Sequence, residues 1–194
     1  MKNDIKLFDV NSIDQVNPFT DPLIVKEQEY KDYIDRHIKY VKKSYNEMID
    51  NDWLYSSYNS DIIAALDELK YIIDDHDASK YSDDEFYAYR QHFYPIEGEE
   101  DNEEAYEEAW KHHYTVNDHH PEHWIVDGQP TNMSMRAILE MICDWQSFAY
   151  INKGTASDFW YNNPEGKAEK SKIMTSYTIN TVERILKLLN YKEN

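Results

Sequence analysis

Apolar residues recur along most of this chain at intervals of three and four. Tyr30, Ile34, Ile38, Val41, Tyr45 and Met48 share one face of a helix predicted over about 27–49, and His37 lies on the same stripe. A second stripe, Ile62, Leu66, Leu69 and Ile73, follows Ser60, which reads as its N-cap. Continuing it by three and four places reaches His76 and Asp77, so this pair is expected at a helix end beside a loop. Ser82-Asp83-Asp84-Glu85 has the form of a capping box and predicts a short helix ending near Pro95. The acidic stretch 97–108 opens a further helix, with Tyr106, Ala109, Trp110, His113 and Val116 or Asn117 on one face. It gives way to the loop Asp118-His119-His120-Pro121. Thr131 or Ser134 then caps an apolar helix over about 135–150, striped by Ala137, Met141, Asp144 and Phe148. A last helix is predicted over about 167–189, with Ile173, Tyr177, Val182, Ile185 and Leu189 on one side. Four glycines and six prolines leave little punctuation for the turns of a β fold. The expectation is an all-α bundle of about six helices with no strand beyond a stray hairpin.

With 194 residues the chain has the length of one domain, able to bury a core without disulfides. Residues 1–25 carry Pro18 and Pro22 and no sustained period, which predicts an irregular N-terminal arm ahead of a single helical domain over 26–194. Cys143, the lone cysteine, sits on an apolar helix and reads as packing. No apolar run approaches the roughly 20 residues needed to span a bilayer, mean hydropathy is −0.87, and MKNDIKLFDVN lacks an apolar signal segment. A cytoplasmic protein with no membrane role is expected.

The formal charge of −18 leaves no excess of Lys or Arg to displace phosphate counterions, so duplex nucleic acid is not an expected partner. The acid-rich surface reads as solvation, or more sharply as a mimic of DNA that blocks a nucleic-acid-binding protein. There is no Gly-rich phosphate loop and no G-x-S-x-G elbow.

Four residues stand out chemically. His37, the adjacent His76-Asp77, and Asp144 place imidazoles and carboxylates on apolar stripes or at the ends of three different helices. Burying such groups is costly unless something compensates them, and one divalent cation can do so for several at once. Mixed nitrogen and oxygen donors suit Mn²⁺, Fe²⁺, Co²⁺, Ni²⁺ or Zn²⁺ better than Mg²⁺ or Ca²⁺. Any one of the four alone would read as a satisfied core residue.

In the order H, HD, D, they resemble the HD superfamily of metal-dependent phosphohydrolases, helical proteins named for their His-Asp doublet. His76-Asp77-Ala78-Ser79-Lys80 resembles its HD-x-x-K form, and His113, Asn117, His119 and His120 match the H-x-x-x-N-x-H-H motif of a phage and bacterial branch. The resemblance runs from about His37 to Asp144 and implies an HD-like helical bundle. It makes His37, His76, Asp77 and Asp144 direct ligands, with Asp77 able to bridge to a second ion for which His113 and His120 are candidates. One or two ions are therefore expected. The reaction it implies is attack of metal-bound hydroxide on phosphorus in a small phosphorylated substrate, foremost a nucleotide. Lys80 would hold the phosphate or remain a surface lysine. His119 would protonate the leaving oxygen or stay in the loop, and Asn117 would orient substrate or cap its helix.

The weaker histidines read otherwise: His112 as exposed, His123 as loop architecture, His92 as without partners. Trp110, Trp124, Trp145 and Trp160 read first as core, with a minority reading of stacking on a nucleobase. Two rival functions remain open: a dinuclear iron oxygenase of the same superfamily, and an acidic phage-type inhibitor with a structural metal. A homo-oligomer is also left open, and in a phage-encoded protein the cytoplasm is the host's.

Overall fold

The computed structural model describes residues 21–52, 54 and 59–190. Among these, eight α-helices and three short 3₁₀ turns carry nearly all the regular structure: α1 (Pro22–Ile49), α2 (Ser60–Leu69), α3 (Phe86–Phe93), α4 (Glu103–Val116), α5 (Met135–Asn152), α6 (Ala156–Tyr161), α7 (Pro164–Lys172) and α8 (Ser176–Leu189). The one sheet is a hairpin of two-residue strands, β1 (Ile125–Val126) and β2 (Gln129–Pro130). Asp127 and Gly128 between them both adopt positive φ, the backbone that a tight two-residue hairpin turn requires. The fold is an all-α bundle, as expected.

Helix α1 starts at Pro22, earlier than the stripe alone suggests. Asp21 accepts a hydrogen bond from the Leu23 amide, and proline at the first helical turn loses no donor that the helix needs. The expected arm therefore loses residues 22–25 to α1, and its first 20 residues lie outside the described part.

Helix α5 is the axis of the bundle. It begins at Ser134, whose hydroxyl accepts from the Ala137 amide. Ten of its residues are buried, on nearly every side, as befits a helix with α1, α2, α6 and α8 packed around it. The larger apolar cluster joins Val41, Leu66, Ile142, Trp160 and Val182 with their neighbours. A smaller one gathers Tyr30, Ile34, Phe86, Tyr89 and Ala109 from α1, α3 and α4. His37 lies between Ile34 of the smaller cluster and Val41 of the larger, at the seam of the two.

Three expectations fail locally. The stripe of α2 does not run on as a helix to the doublet: α2 stops at Leu69, and His76-Asp77 sits between 3₁₀ turns at Ile73–Asp75 and Ala78–Tyr81. Asp77 takes a left-handed conformation, φ 56° and ψ 17°, which Asp tolerates better than most residues and which a continuing helix forbids. The capping box at Ser82 does not form, because Glu85 turns its carboxylate to α4 instead. The last helix is broken: Thr175 caps α8 afresh through the Thr178 amide, and α7 ends at Lys172. The segment before it forms α6, where Thr155 and Asp158 make a reciprocal capping box.

Candidate metal centre

Asp77 is the hub of the site, and its left-handed backbone aims its two carboxylate oxygens at different groups. Asp77 Oδ2 lies 3.2 Å from His37 Nε2 and 3.6 Å from His76 Nε2. Asp144 Oδ1 comes in from α5, 3.1 Å from His37 Nε2 and 3.8 Å from His76 Nε2. On its other side, Asp77 Oδ1 lies 3.3 Å from His113 Nε2 and 3.4 Å from His119 Nε2. Donor atoms of Asp77, His113, His119 and His120 all fall within 4.8 Å of one another. Donors 2.0–2.2 Å from one shared ion would stand roughly 2.8–3.6 Å apart for octahedral to tetrahedral angles. The quoted pairs, 3.1–3.8 Å apart, lie within or a little above that range, and His37, His76 and Asp77 form a second set within 4.8 Å that Asp144 adjoins through His37 and His76.

This convergence leaves several inward-facing atoms unsatisfied within the protein. His37 Nε2, His76 Nε2, His119 Nε2, His120 Nε2 and Asp77 Oδ1 are buried and lack any hydrogen-bond partner. Buried polar atoms are nearly always satisfied, and these five, Asp77 Oδ1 and imidazole nitrogens on either side of its carboxylate, are a donor set that divalent cations could satisfy. The opposite edges of the rings, in contrast, are held firmly. His76 Nδ1 donates to Glu140 Oε1 at 2.9 Å, and His113 Nδ1 donates to Glu85 Oε2 at 2.8 Å. His37 Nδ1 donates to the Ser147 hydroxyl at 3.0 Å, and that hydroxyl donates onward to the Asp144 carbonyl. These contacts select the tautomer whose Nε2 lone pair points inward, the arrangement usual for metal-ligating histidine.

The electrostatics are those of a site with too many anions. Burial alone would raise the Asp77 and Asp144 carboxyls, but their neighbours win. Lys80, His76, His113 and His37 hold Asp77 well below the usual range, and His37 and His76 do the same for Asp144. Burial opposes protonation of His76, yet Asp77, Asp144 and Glu140 push it up to about 10. Glu140, although burial favours its neutral form, is held down to about 2 by His119 and His76. Burial and then the neighbouring His119 and His113 push His120 well below its ordinary value, which favours a neutral imidazole. Lys80 sits 2.6 Å from Asp77 Oδ2, so its ammonium serves as one counter-charge to the cluster.

The structure thus brings His37, His76, Asp77 and Asp144 together, and it gathers His113, His119 and His120 around the second Asp77 oxygen. His119 joins the donor set: its Nε2 faces Asp77, and its Nδ1 lies 3.5 Å from Glu140 Oε1, away from the cavity that Lys80 lines. That placement gives no support to its acting as an acid on a leaving group. Asn117 caps α4 and ties it to the doublet's turn, donating to the His113 carbonyl at 2.9 Å and to Ser79 Oγ at 2.8 Å. His92 has a partner after all, Asp101 at 2.9 Å, and stacks on Tyr106. His112 is about one third exposed and donates to Glu85 Oε1, while His123 donates to the Tyr114 carbonyl. Cys143 is fully buried with its sulfur 3.6 Å from Met48 Sδ, and burial pushes its thiol up. Trp145 and Trp160 are core; Trp110 and Trp124 are only half-buried.

The orienting groups Glu140, Glu85 and Ser147 escaped the sequence reading. A signal for Glu140 was present: Arg136, Glu140 and Asp144 stand four apart on α5, and Arg136 Nη1 donates to Glu140 Oε2 at 2.8 Å. Among the described residues no helix is long and apolar enough to cross a membrane. Residues 26–188 match the model of a family of unknown function, DUF5662. No curated protein and no solved structure matches the chain.

Proposed function

The chain belongs to the DUF5662 family, and we propose that it is a metal-dependent phosphohydrolase of the HD type acting on a small phosphorylated substrate. The observation that carries this reading is the set of five buried, unpartnered donor atoms around Asp77. His37, His76, Asp77 and Asp144 would hold one divalent transition ion, and His113, His119 and His120 with the second Asp77 oxygen would hold another. Ions bound there supply Lewis acidity: they lower the pKa of water and neutralise phosphoryl charge.

The chain's own groups do the rest. Lys80, on the cavity wall beside Asp77, would meet a phosphoryl oxygen as a point charge. Glu140 and Glu85 keep His76 and His113 turned inward, and Ser147 does so for His37. The test is elemental analysis of the purified protein, then a phosphatase screen over nucleotides and cyclic dinucleotides with Mn²⁺, Ni²⁺ or Co²⁺ added. Release of phosphate that depends on the ion supports the reading; a metal-loaded protein that hydrolyses no phosphoester sinks it.

The histidine-rich donors around Asp77 Oδ1 also suit iron, which favours a dinuclear iron oxygenase as second reading. Oxygen uptake by the iron-loaded protein, without phosphate release, would select it.

A further inference from the structure

A cavity of about 310 Å³ adjoins the donor cluster, with Asp77, Asp144, His113 and His120 among the residues that line it. Its walls are unusual for a site that handles phosphate. Seven aromatic side chains line it, and Lys80 is the single lysine or arginine among its lining residues. Two of these rings, Tyr30 and Tyr89, are buried parts of the smaller apolar cluster. The others keep exposed surface toward the cavity: Tyr33, Tyr106, Trp110 and Phe148 are half-buried, and Phe93 is 55% exposed.

The rings are tied to both halves of the donor cluster. Phe148 and Tyr33 lie 5.0 and 6.1 Å from the His37 ring, centre to centre. Trp110 lies 4.9 Å from His120 and 5.8 Å from His113. A molecule that presents one group to Asp77 must therefore lay its remaining body against aromatic faces. Phe93 and Tyr106, 5.8 Å apart, line the same cavity.

We infer that the substrate of this site is a phosphomonoester with a planar aromatic body, carrying one phosphoryl group and no polyphosphate tail. The inference rests on the phosphohydrolase reading above and narrows it. Size argues for a small body, since about 310 Å³ is at the lower limit of ligand cavities and a dinucleotide would leave much of itself outside it. Charge argues for a single phosphoryl group: one ammonium and the bound ions answer one such group, while a second or third phosphate would be desolvated against rings with no cation to meet it. Ring chemistry argues for a flat partner, because aromatic walls gain by offset stacking what an aliphatic chain cannot offer.

Binding of non-hydrolysable phosphonates to the metal-loaded full chain, measured by calorimetry, tests this without relying on turnover. Phenylphosphonate should bind about tenfold more tightly than methylphosphonate, in line with one stacked ring. Hexylphosphonate should fall between them, and methylenediphosphonate should bind no more tightly than methylphosphonate. Trp110→Leu and Phe148→Leu should shrink the phenyl advantage, with Phe93→Leu at the exposed rim as a third variant should either of the first two fail to fold. Equal affinity for phenyl and methyl, a preference for hexyl, or a preference for the diphosphonate would each overturn the aromatic monoester while leaving the phosphohydrolase standing. Failure of every phosphonate to bind a chain that holds its metal would overturn both.

Discussion

Glu140 is the residue whose removal should report most fully on how the centre is held. One oxygen of its carboxylate accepts from His76 Nδ1 at 2.9 Å and lies 3.5 Å from His119 Nδ1, while the other accepts from Arg136. His76 belongs to one half of the donor cluster and His119 to the other, so a single side chain orients a ring in each. Removing such an orienting carboxylate typically weakens metal binding about 10–100-fold, which is roughly 1.4–2.8 kcal/mol. Glu140→Ala should lose that much in both halves, because two imidazoles lose their Nδ1 acceptor at once. Glu140→Gln keeps one acceptor oxygen and should be intermediate, since its amide cannot accept from both His76 and Arg136. The assay is competition of the purified variants against a chromophoric chelator, titrated with Zn²⁺ or Co²⁺, with circular dichroism as the check on folding. A folded Glu140→Ala protein that binds both equivalents with wild-type affinity would refute the reasoning and show that packing alone sets the rings.

Further outcomes follow from the same geometry. Lys80→Ala should keep its metal and its fold while KM for a phosphorylated substrate rises about tenfold or more, as steady-state kinetics on the metal-loaded protein can show. Ile142→Ala, at a fully buried position on α5, should cost about 2–5 kcal/mol and lower Tm by roughly 4–20 °C, leaving metal stoichiometry of the folded fraction intact. In the metal-free protein the raised His76 contributes stability below its ordinary value of about 6.5, and loses it as pH climbs toward about 10. The lowered Glu140 contributes above about 4.5 and loses it as pH falls toward about 2, so metal-free Tm should peak between roughly pH 4.5 and 6.5. Metal binding requires neutral imidazoles and His76 holds its proton until about pH 10, so the rise in Tm on adding Zn²⁺ should keep growing as pH climbs from neutrality toward that value, as differential scanning fluorimetry would register.

Much of the site was legible because a helix writes its buried face into the sequence. His37 shares a stripe with Ile34 and Val41, and Asp144 with Ala137 and Met141, and all six are buried or nearly so. Polar groups on such stripes stand out against their apolar neighbours. What failed was local backbone geometry. The period of α2 carries the eye past Leu69 to the doublet, but a left-handed Asp77 between two 3₁₀ turns leaves no trace in a periodicity count. Glu85 looks like the far end of a capping box until tertiary structure offers it His112 and His113. Thr155 and Asp158 carry the spacing of a helix start, and Thr175 marks the break before α8. Orienting contacts such as Ser147 to His37 join residues 110 positions apart, and no local pattern encodes them.

The central claim is that the buried histidines and aspartates of this chain hold divalent metal, and elemental analysis of wild type beside Asp77→Ala addresses it directly. Asp77 faces both halves of the donor cluster, one oxygen to each. The wild type, purified without chelator and offered Mn²⁺, Fe²⁺, Co²⁺, Ni²⁺ or Zn²⁺, should carry between one and two equivalents of a transition ion per chain. Asp77→Ala should retain a small fraction of that while remaining helical. A wild type that stays metal-free with every ion, or an Asp77→Ala protein that keeps the full complement, would contradict the account.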